Sequence, residues 1–231
     1  MKNNMASIED VLKELKSNAN PHQIKGMERF GMTSKGRLGV SIPDLRKMAK
    51  SIGKDHRLAL ELWESGFQEG RILAAMVAEP HRVTGKQMDM WVKDFDSWDV
   101  CDQVCMNLFD RTDIVWEKIG DWSKSGEEFI KRAAYALIAS LALHNKEAND
   151  SKFVELFPLI KMGSTDDRNY VKKAVSWALR HIGKRNIKLN KSAIKLAYEI
   201  KKIDSKPARW IANDAIRELE GDSVQRRLKG S

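Results

Sequence analysis

The sequence predicts an all-α fold built from antiparallel helix pairs. Nearly every segment of the 231 residues repeats its apolar side chains at three- and four-residue intervals, and none sustains the alternation of a strand. The breaks between segments are short, so consecutive helices should pack as antiparallel pairs. The predicted helices cover residues 5–18, 21–29, 43–53, 55–65, 68–79, 85–94, 97–110, 113–124, 126–143, 150–161, 167–184, 190–202 and 205–220.

Four helices share a pattern in which a basic residue precedes small, Ala-rich sequence, at Arg71, Arg132, Lys173 and Arg209. The spacing is 41 residues from Arg132 to Lys173 and 36 from Lys173 to Arg209, close to the ~40–47 of HEAT-type repeats. Stacked pairs of this kind form a solenoid with a concave face. We therefore expect a single domain over residues 1–231, with its core at about residues 20–220.

Composition narrows the class of protein. Apolar residues make up 42% and charged residues 32%, which is typical of a folded, soluble chain. The net charge is +9, and the residues from Arg168 onward hold 17 Lys and Arg against 6 Asp and Glu. A positive surface concentrated in one part of a chain indicates a polyanionic partner such as nucleic acid.

The cysteines and histidines suggest neither a disulfide nor a metal site. Cys101 and Cys105 lie four apart on one predicted helix, where they fit as small core side chains in a reducing compartment, so we expect a cytoplasmic protein. The five histidines are scattered, and the sequence has no phosphate-binding glycine loop or nucleophilic triad. We expect no cofactor and no metal.

The helix at 97–110 presents an aromatic ring and a carboxylate together. Asp96 or Ser97 is expected to cap it. Trp98 and Asp102 are four residues apart and point away from the predicted apolar stripe, which comprises Val100, Cys101, Val104 and Leu108. A carboxylate beside an aromatic ring can act as a general base or stabilise a developing cation. The alternative is that Asp102 is an ordinary residue of a helix surface.

The helix at 167–184, with Asp166 or Asp167 as its expected cap, sets an aromatic ring among cations. Trp177 lies about 120° from the apolar stripe, and the cations on its side of the helix are Lys173, Arg180 and Lys184. This arrangement suits a sugar-phosphate backbone. The alternative is that the ring packs on a neighbouring helix while the cations are solvated.

Arg132 is predicted to face away from the core, beside Ala136 and Ala139, which are small enough to let a ligand approach. A solvated arginine is the alternative. The remaining large aromatic side chains are expected to be core residues: Trp63, Trp91, Trp116, Trp122 and Trp210.

Several stretches together resemble the AlkD-type DNA alkylation repair family, which are DNA glycosylases built from HEAT-like repeats. The resemblance spans roughly residues 20–220 and lies in Leu38–Lys47, Ser97–Asp102, Phe129–Arg132 and Arg168–Arg180, which appear in the family's order. It implies a right-handed superhelical solenoid with a concave basic cleft. The implied activity is hydrolysis that releases 3-methyladenine and 7-methylguanine from double-stranded DNA, by a monomer without a cofactor.

The resemblance also implies a role for particular residues. Asp102 corresponds to the catalytic carboxylate, and Trp98 and Trp177 to the aromatic rings that hold the deoxyribose, so the two rings are expected to face each other across Asp102. The implied DNA-binding residues are Arg46, Arg132 and Arg180, with Lys173, Lys184 and Arg209 added from the basic helices. The family's aromatic residue near the start of the second helix is absent at Ile24–Glu28, where Phe30 is a possible substitute.

Two other functions remain open from the sequence. Some relatives bind DNA without detectable excision, which would make this chain a non-catalytic binding protein for branched or distorted DNA. The third possibility is a helical-repeat scaffold for a protein partner. In that case the basic face would have no role in binding nucleic acid.

Overall fold

The computed structural model describes residues 7–230 and is all-helical over that range. The helices, numbered α1 to α15, are Ile8–Ser17, Pro21–Arg29, Ile42–Ile52, His56–Glu64, Gln68–Val77, Gly85–Lys93, Trp98–Asn107, Val115–Trp122, Glu128–His144, Asp150–Val154, Phe157–Gly163, Asn169–Gly183, Ile187–Lys201, Lys206–Leu219 and Asp222–Lys229. Single turns of 3-10 helix lie at Pro80–Arg82 and Phe109–Arg111. The chain divides into two compact units, residues 1–113 and 114–231. Within the described residues, no helix is both long and apolar enough to cross a membrane.

The first unit contains α1 to α7 around an aromatic core. Trp63 of α4 stacks on Trp91 of α6 with ring centroids 3.9 Å apart. Phe95 and Phe109 complete the cluster, and the indole N–H of Trp63 donates to the Asp94 carboxylate at 2.7 Å. The contacts of Trp63 join residues 28 to 32 positions apart in the sequence, so the cluster ties consecutive helix pairs to one another.

The second unit contains α8 to α15, and its neighbouring helices are related by a constant offset of 38 residues. Between α12 and α14 the ammonium of Lys172 lies 5.0 Å from the Trp210 ring, and Ser176 donates to Asp214 at 2.7 Å. Arg180 continues this series with an ion pair to Glu218. Because both partners advance together along their helices, α12 and α14 run parallel, as equivalent helices of successive repeats do.

Most predicted helices are confirmed to within a few residues, although the predicted start at residue 5 lies outside the described residues. The predicted helix at 150–161 is wrong as a single element. It is two helices, α10 and α11, which are separated by Glu155 and Leu156. Pro158 lies in the first turn of α11. Helix α15 was not predicted, because Val224 and Leu228 are the only large apolar residues it buries.

Three expectations about individual side chains are wrong. Trp210 is 41% exposed rather than a core residue. Neither Asp166 nor Asp167 caps α12, whose N-cap is Arg168. Arg132 is only 5% exposed, because α12 packs against the small residues beside it on α9. The predicted apolar stripes of α7 and α12 are confirmed, since their residues are fully buried.

Candidate active site and nucleic-acid interface

Trp98 and Asp102 occupy successive turns of α7 in the first unit, and both side chains are partly exposed. The buried side of the helix holds Cys101 and Cys105, which form no disulfide within the described residues. Burial, the hydrogen bond to Cys101 and the nearby Asp102 charge raise the pKa of Cys105 well above its usual value. The Cys105 thiol therefore stays neutral, and both cysteines act as core side chains. The indole and the carboxylate are the chemistry that α7 presents at its partly exposed side.

Trp98 is fixed by the chain that follows α2. Its indole N–H donates to the main-chain carbonyl of Phe30 at 3.0 Å. Phe30 itself is 75% exposed at the C-terminal end of α2. An exposed aromatic residue thus contacts Trp98 through its main-chain carbonyl in this unit.

A buried ionic network, which the sequence did not reveal, holds the first turn of α7 in place. The guanidinium of Arg37 donates to both carboxylate oxygens of Asp99, at 2.9 and 3.0 Å, and to the Thr33 carbonyl at 2.6 Å. The Ser97 hydroxyl donates to Asp99 at 2.5 Å and accepts from the Thr33 N–H at 3.2 Å. Ser97 is the N-cap residue of α7, as predicted, but its hydroxyl serves this network rather than the helix N–H groups.

Glu69 of α5 extends the network to the loop before α3. Its two carboxylate oxygens accept the main-chain N–H groups of Leu38 and Gly39 at 2.9 and 2.8 Å. Gly39 has a φ of +79°, and a Cβ there would lie 2.2 Å from the Asn20 carbonyl oxygen, so only glycine fits. The loop and the start of α7 are therefore positioned by contacts between residues about 30 to 60 positions apart.

In the second unit, Trp177 is partly exposed on α12, with its ring edge-on to His181 at 5.6 Å. Burial, with a smaller effect from Lys184 and Arg180, lowers the pKa of His181 to about 4. The imidazole is therefore neutral at physiological pH and adds no positive charge beside Trp177.

Two of the three cations predicted beside Trp177 are paired with acidic groups. Arg180 contacts the carboxylates of Asp214, at 3.3 Å, and Glu218. Lys184 donates to Glu218 at 2.7 Å. Burial raises the pKa of Glu218, but the hydrogen bonds from Lys184 and Arg180 outweigh it and lower the pKa. Glu218 is thus ionised, and it reduces the net positive charge on this face of α12.

The other predicted DNA-binding residues differ in how they are held. Lys173 on α12 and Arg46 on α3 are exposed. Arg209 on α14 is exposed and pairs with Asp204 at 3.0 Å. Arg132, which is buried, donates to the Tyr170 carbonyl at 2.7 Å, in the first turn of α12.

Asp166, which was expected to cap α12, anchors the start of that helix in another way. Asp166 accepts hydrogen bonds from Arg168 at 2.6 and 2.9 Å and from Lys131 at 3.1 Å. The hydrogen bond from Arg168, helped by Lys131, outweighs burial and lowers the pKa of Asp166 to about 2. Asp166 therefore ties the ends of α9 and α12 together instead of capping the helix. Over residues 7–230 no cluster of three or more His, Cys, Asp or Glu could hold a metal ion.

These features define an all-α protein of stacked HEAT-like helix pairs. The sequence profile of the DNA alkylation repair enzymes matches residues 11–219, and the chain belongs to that family. A solved structure described as "a new family of proteins related to the HEAT-like repeat DNA glycosylases with affinity for branched DNA structures" has the same fold, with a TM-score of 0.80 and 18% identity over 96% of each chain. An uncharacterized Listeria innocua protein, Lin0241, is 31% identical over 98 residues, which are 41% of this chain and 44% of that protein. That match spans less than half of the Listeria protein.

Proposed function

We propose that the protein is a monofunctional DNA glycosylase that hydrolyses the N-glycosidic bond of cationic alkylated purines, 3-methyladenine and 7-methylguanine, in double-stranded DNA. It acts as a monomer without a cofactor, in the reducing cytoplasm. The observation that carries the proposal is the pair formed by Trp98 and Asp102, which share the exposed side of α7 while the Phe30 carbonyl fixes the indole.

The proposed reaction needs few catalytic groups, because the alkylated base is already a good leaving group. Alkylation at N3 or N7 leaves the purine positively charged, so the base departs with the electron pair of the C1′–N bond and becomes neutral. The sugar then develops cationic character at C1′. The Asp102 carboxylate opposes that charge and orients the water whose oxygen bonds to C1′, and it accepts the proton that the water loses.

Trp98 and Trp177 are each proposed to contact deoxyribose. The faces of indole rings are electron-rich and attract cations, so they favour an oxocarbenium-like deoxyribose over the neutral ground state. This mode of action needs no enclosed base pocket, because the rings contact the backbone side of the nucleotide.

The proposed DNA contacts fall into three groups. Lys173, Arg46 and Arg209 are exposed and contact phosphates directly. Arg180 and Lys184 exchange Glu218 for phosphate oxygens when DNA binds. The buried Arg132 acts indirectly, since its hydrogen bond to the Tyr170 carbonyl positions the start of the helix that carries Trp177.

A base-release assay on methylated duplex DNA tests the proposal. Asp102→Asn preserves shape but removes the negative charge, so release of 7-methylguanine should fall by at least about 100-fold, while binding to the same duplex by fluorescence anisotropy changes little. Asp121→Asn, at an exposed position of α8, is the matched control and should release base at the wild-type rate. Strong excision by Asp102→Asn would remove the catalytic assignment.

A second candidate is non-catalytic binding to branched DNA. It is favoured by the acidic partners of Arg180 and Lys184, which lower the charge beside Trp177, and by the branched-DNA affinity described for the relative of similar fold. Wild-type protein that binds a four-way junction more tightly than a duplex at equal salt, and releases no alkylated base from either, would establish this function instead.

A further inference from the structure

The second unit has an apolar groove that no step of the proposed reaction uses. It measures about 440 Å³ and lies between α10 and α11 on one side and α13 on the other. Its apolar lining comes from Val154, Phe157, Pro158 and Leu196. Val154 is 42% exposed, and an exposed apolar groove of this kind is typical of a surface that binds another molecule.

Lysines flank this groove along α13. Lys195 lies in the groove wall, and Lys188, Lys191 and Lys202 follow the same flank at spacings of three, four and seven residues. All four are exposed and form no ion pair within residues 7–230. Across the groove, Lys161 pairs with Glu199 at 3.3 Å, but both groups are nearly half exposed, so this pair contributes little.

A second depression continues the positive flank toward the start of α13. It measures about 600 Å³, and its cations are Lys146, Arg185 and Lys188 against the acids Glu147 and Asp150. Arg185 is held there by the main-chain carbonyls at the end of α9, to which it donates at 2.8 and 3.0 Å. The N-terminus of the 15-residue helix α13 adds its own positive potential at this point.

The two features together identify the occupant. A nucleic-acid backbone would use the lysines but has no apolar group to fill the groove, whereas a neutral apolar peptide would use only the groove. We propose that this surface binds a partner protein through a short acidic peptide that carries one or two bulky apolar side chains. The apolar side chains enter between Val154 and Leu196, and the flanking carboxylates lie along the lysines of α13. Charge complementarity is therefore the basis for choosing this partner.

The test uses a fluorescein-labelled peptide, Asp-Asp-Phe-Leu-Asp-Asp, and fluorescence anisotropy with the full chain. Val154→Asp removes the apolar wall, and Lys195→Glu reverses one cation, so each should weaken binding by about tenfold. Lys201→Glu is the matched control, because it changes the same charge on the same helix about 180° from the groove. Circular dichroism melting shows whether each variant remains folded.

Two further probes separate the apolar and ionic contributions. A peptide with Ser in place of Phe and Leu should bind at least about tenfold more weakly, and Val154→Asp should leave duplex DNA binding unchanged. The proposal is overturned if Lys201→Glu weakens the peptide as much as Lys195→Glu does, or if the Ser peptide binds equally well. It is also overturned, in favour of a nucleic-acid surface, if duplex DNA displaces the peptide and Val154→Asp weakens both.

Discussion

The strongest prediction concerns Arg37, whose guanidinium holds the loop after α2 against the first turn of α7. Its side chain is 2% exposed and its partners Asp99 and Glu69 are 12% and 1% exposed. Arg37→Gln removes a cation that makes two hydrogen bonds to one carboxylate and one to the Thr33 carbonyl, and it leaves two acids without their charge partner. Breaking such a buried pair from one side costs about 3–5 kcal/mol.

The matched control is Lys47→Gln. Lys47 pairs with Asp44 at the same distance, 2.9 Å, but the two side chains are 79% and 45% exposed. An exposed pair contributes about 0–1 kcal/mol. The two ion pairs have equal N–O distances but differ in burial and in the number of hydrogen bonds that the cation makes, and the prediction is that only the buried one affects folding strongly.

Equilibrium unfolding in urea measures both variants. Arg37→Gln should lower the free energy of unfolding by about 3–5 kcal/mol, and the quenching of Trp98 fluorescence should change because the loop that holds its indole has lost its anchor. Replacing Asp99 by Asn in the same chain should then cost less than it does in the wild type. Equal losses for Arg37→Gln and Lys47→Gln would refute the reasoning, since burial would not then decide the outcome.

Three other changes have definite expected outcomes. Gly163→Ala places a Cβ 2.1 Å from the Tyr135 hydroxyl and should lower the free energy of unfolding by about 1–3 kcal/mol. At Gly120 a Cβ meets no atom within 4 Å, so Gly120→Ala should raise the free energy of unfolding by about 0.5–1 kcal/mol. The pKa of His181 is lowered from 6.5 to about 4 in the folded state, so between these pH values the unfolded chain binds a proton that the folded protein does not. The free energy of unfolding should therefore fall by about 2 kcal/mol as pH drops from 6.5 to 4, after allowing for partial exposure. His181→Gln should reduce this pH dependence. Glu218→Gln frees two cations on α12, so duplex DNA affinity should rise at low salt and its logarithmic salt dependence should steepen by about 1; an unchanged slope would place those cations outside the DNA contact.

The fold was largely predictable, because helical periodicity is a local property of sequence. The apolar faces of α7 and α12 follow directly from residues three and four apart, and burial agrees with them. Helix α15 was missed because its two buried side chains are too few to form a pattern. Trp210 follows Pro207 and Ala208 at the edge of the apolar stripe of α14, and this position led to the wrong expectation that it lies in the core. In the structure its ring packs against Lys172 of the preceding repeat and not against the core.

The candidate site was predictable only in part. Trp98 and Asp102 were identified from one helix turn, but the Arg37 network that positions them joins residues 62 apart in the chain. Periodicity carries no information about such contacts. The same limit explains the wrong prediction for Asp166. Its position before α12 suits a helix cap, but its carboxylate oxygens accept hydrogen bonds from Arg168 and Lys131 instead of from the N–H groups of the helix. Hydrogen bonds from charged donors are the stronger ones.

The 38-residue offset changes the meaning of the positive charge in the last quarter of the chain. Residues of α12 meet residues of α14 at this offset, and Arg180 meets Glu218 in this way. Lys184, one turn further along α12, pairs with the same carboxylate. The excess of cations is therefore partly neutralised on the helix that carries Trp177, while Lys188, Lys191, Lys195 and Lys202 along α13 form no ion pair with the acids of residues 7–230. A count of charges along the sequence assigns all of them to one nucleic-acid footprint. The contacts separate the cations of α12 that are paired with acids from the lysines of α13 that have no such pair within residues 7–230, and this difference supports the proposal of an acidic partner at the α13 groove.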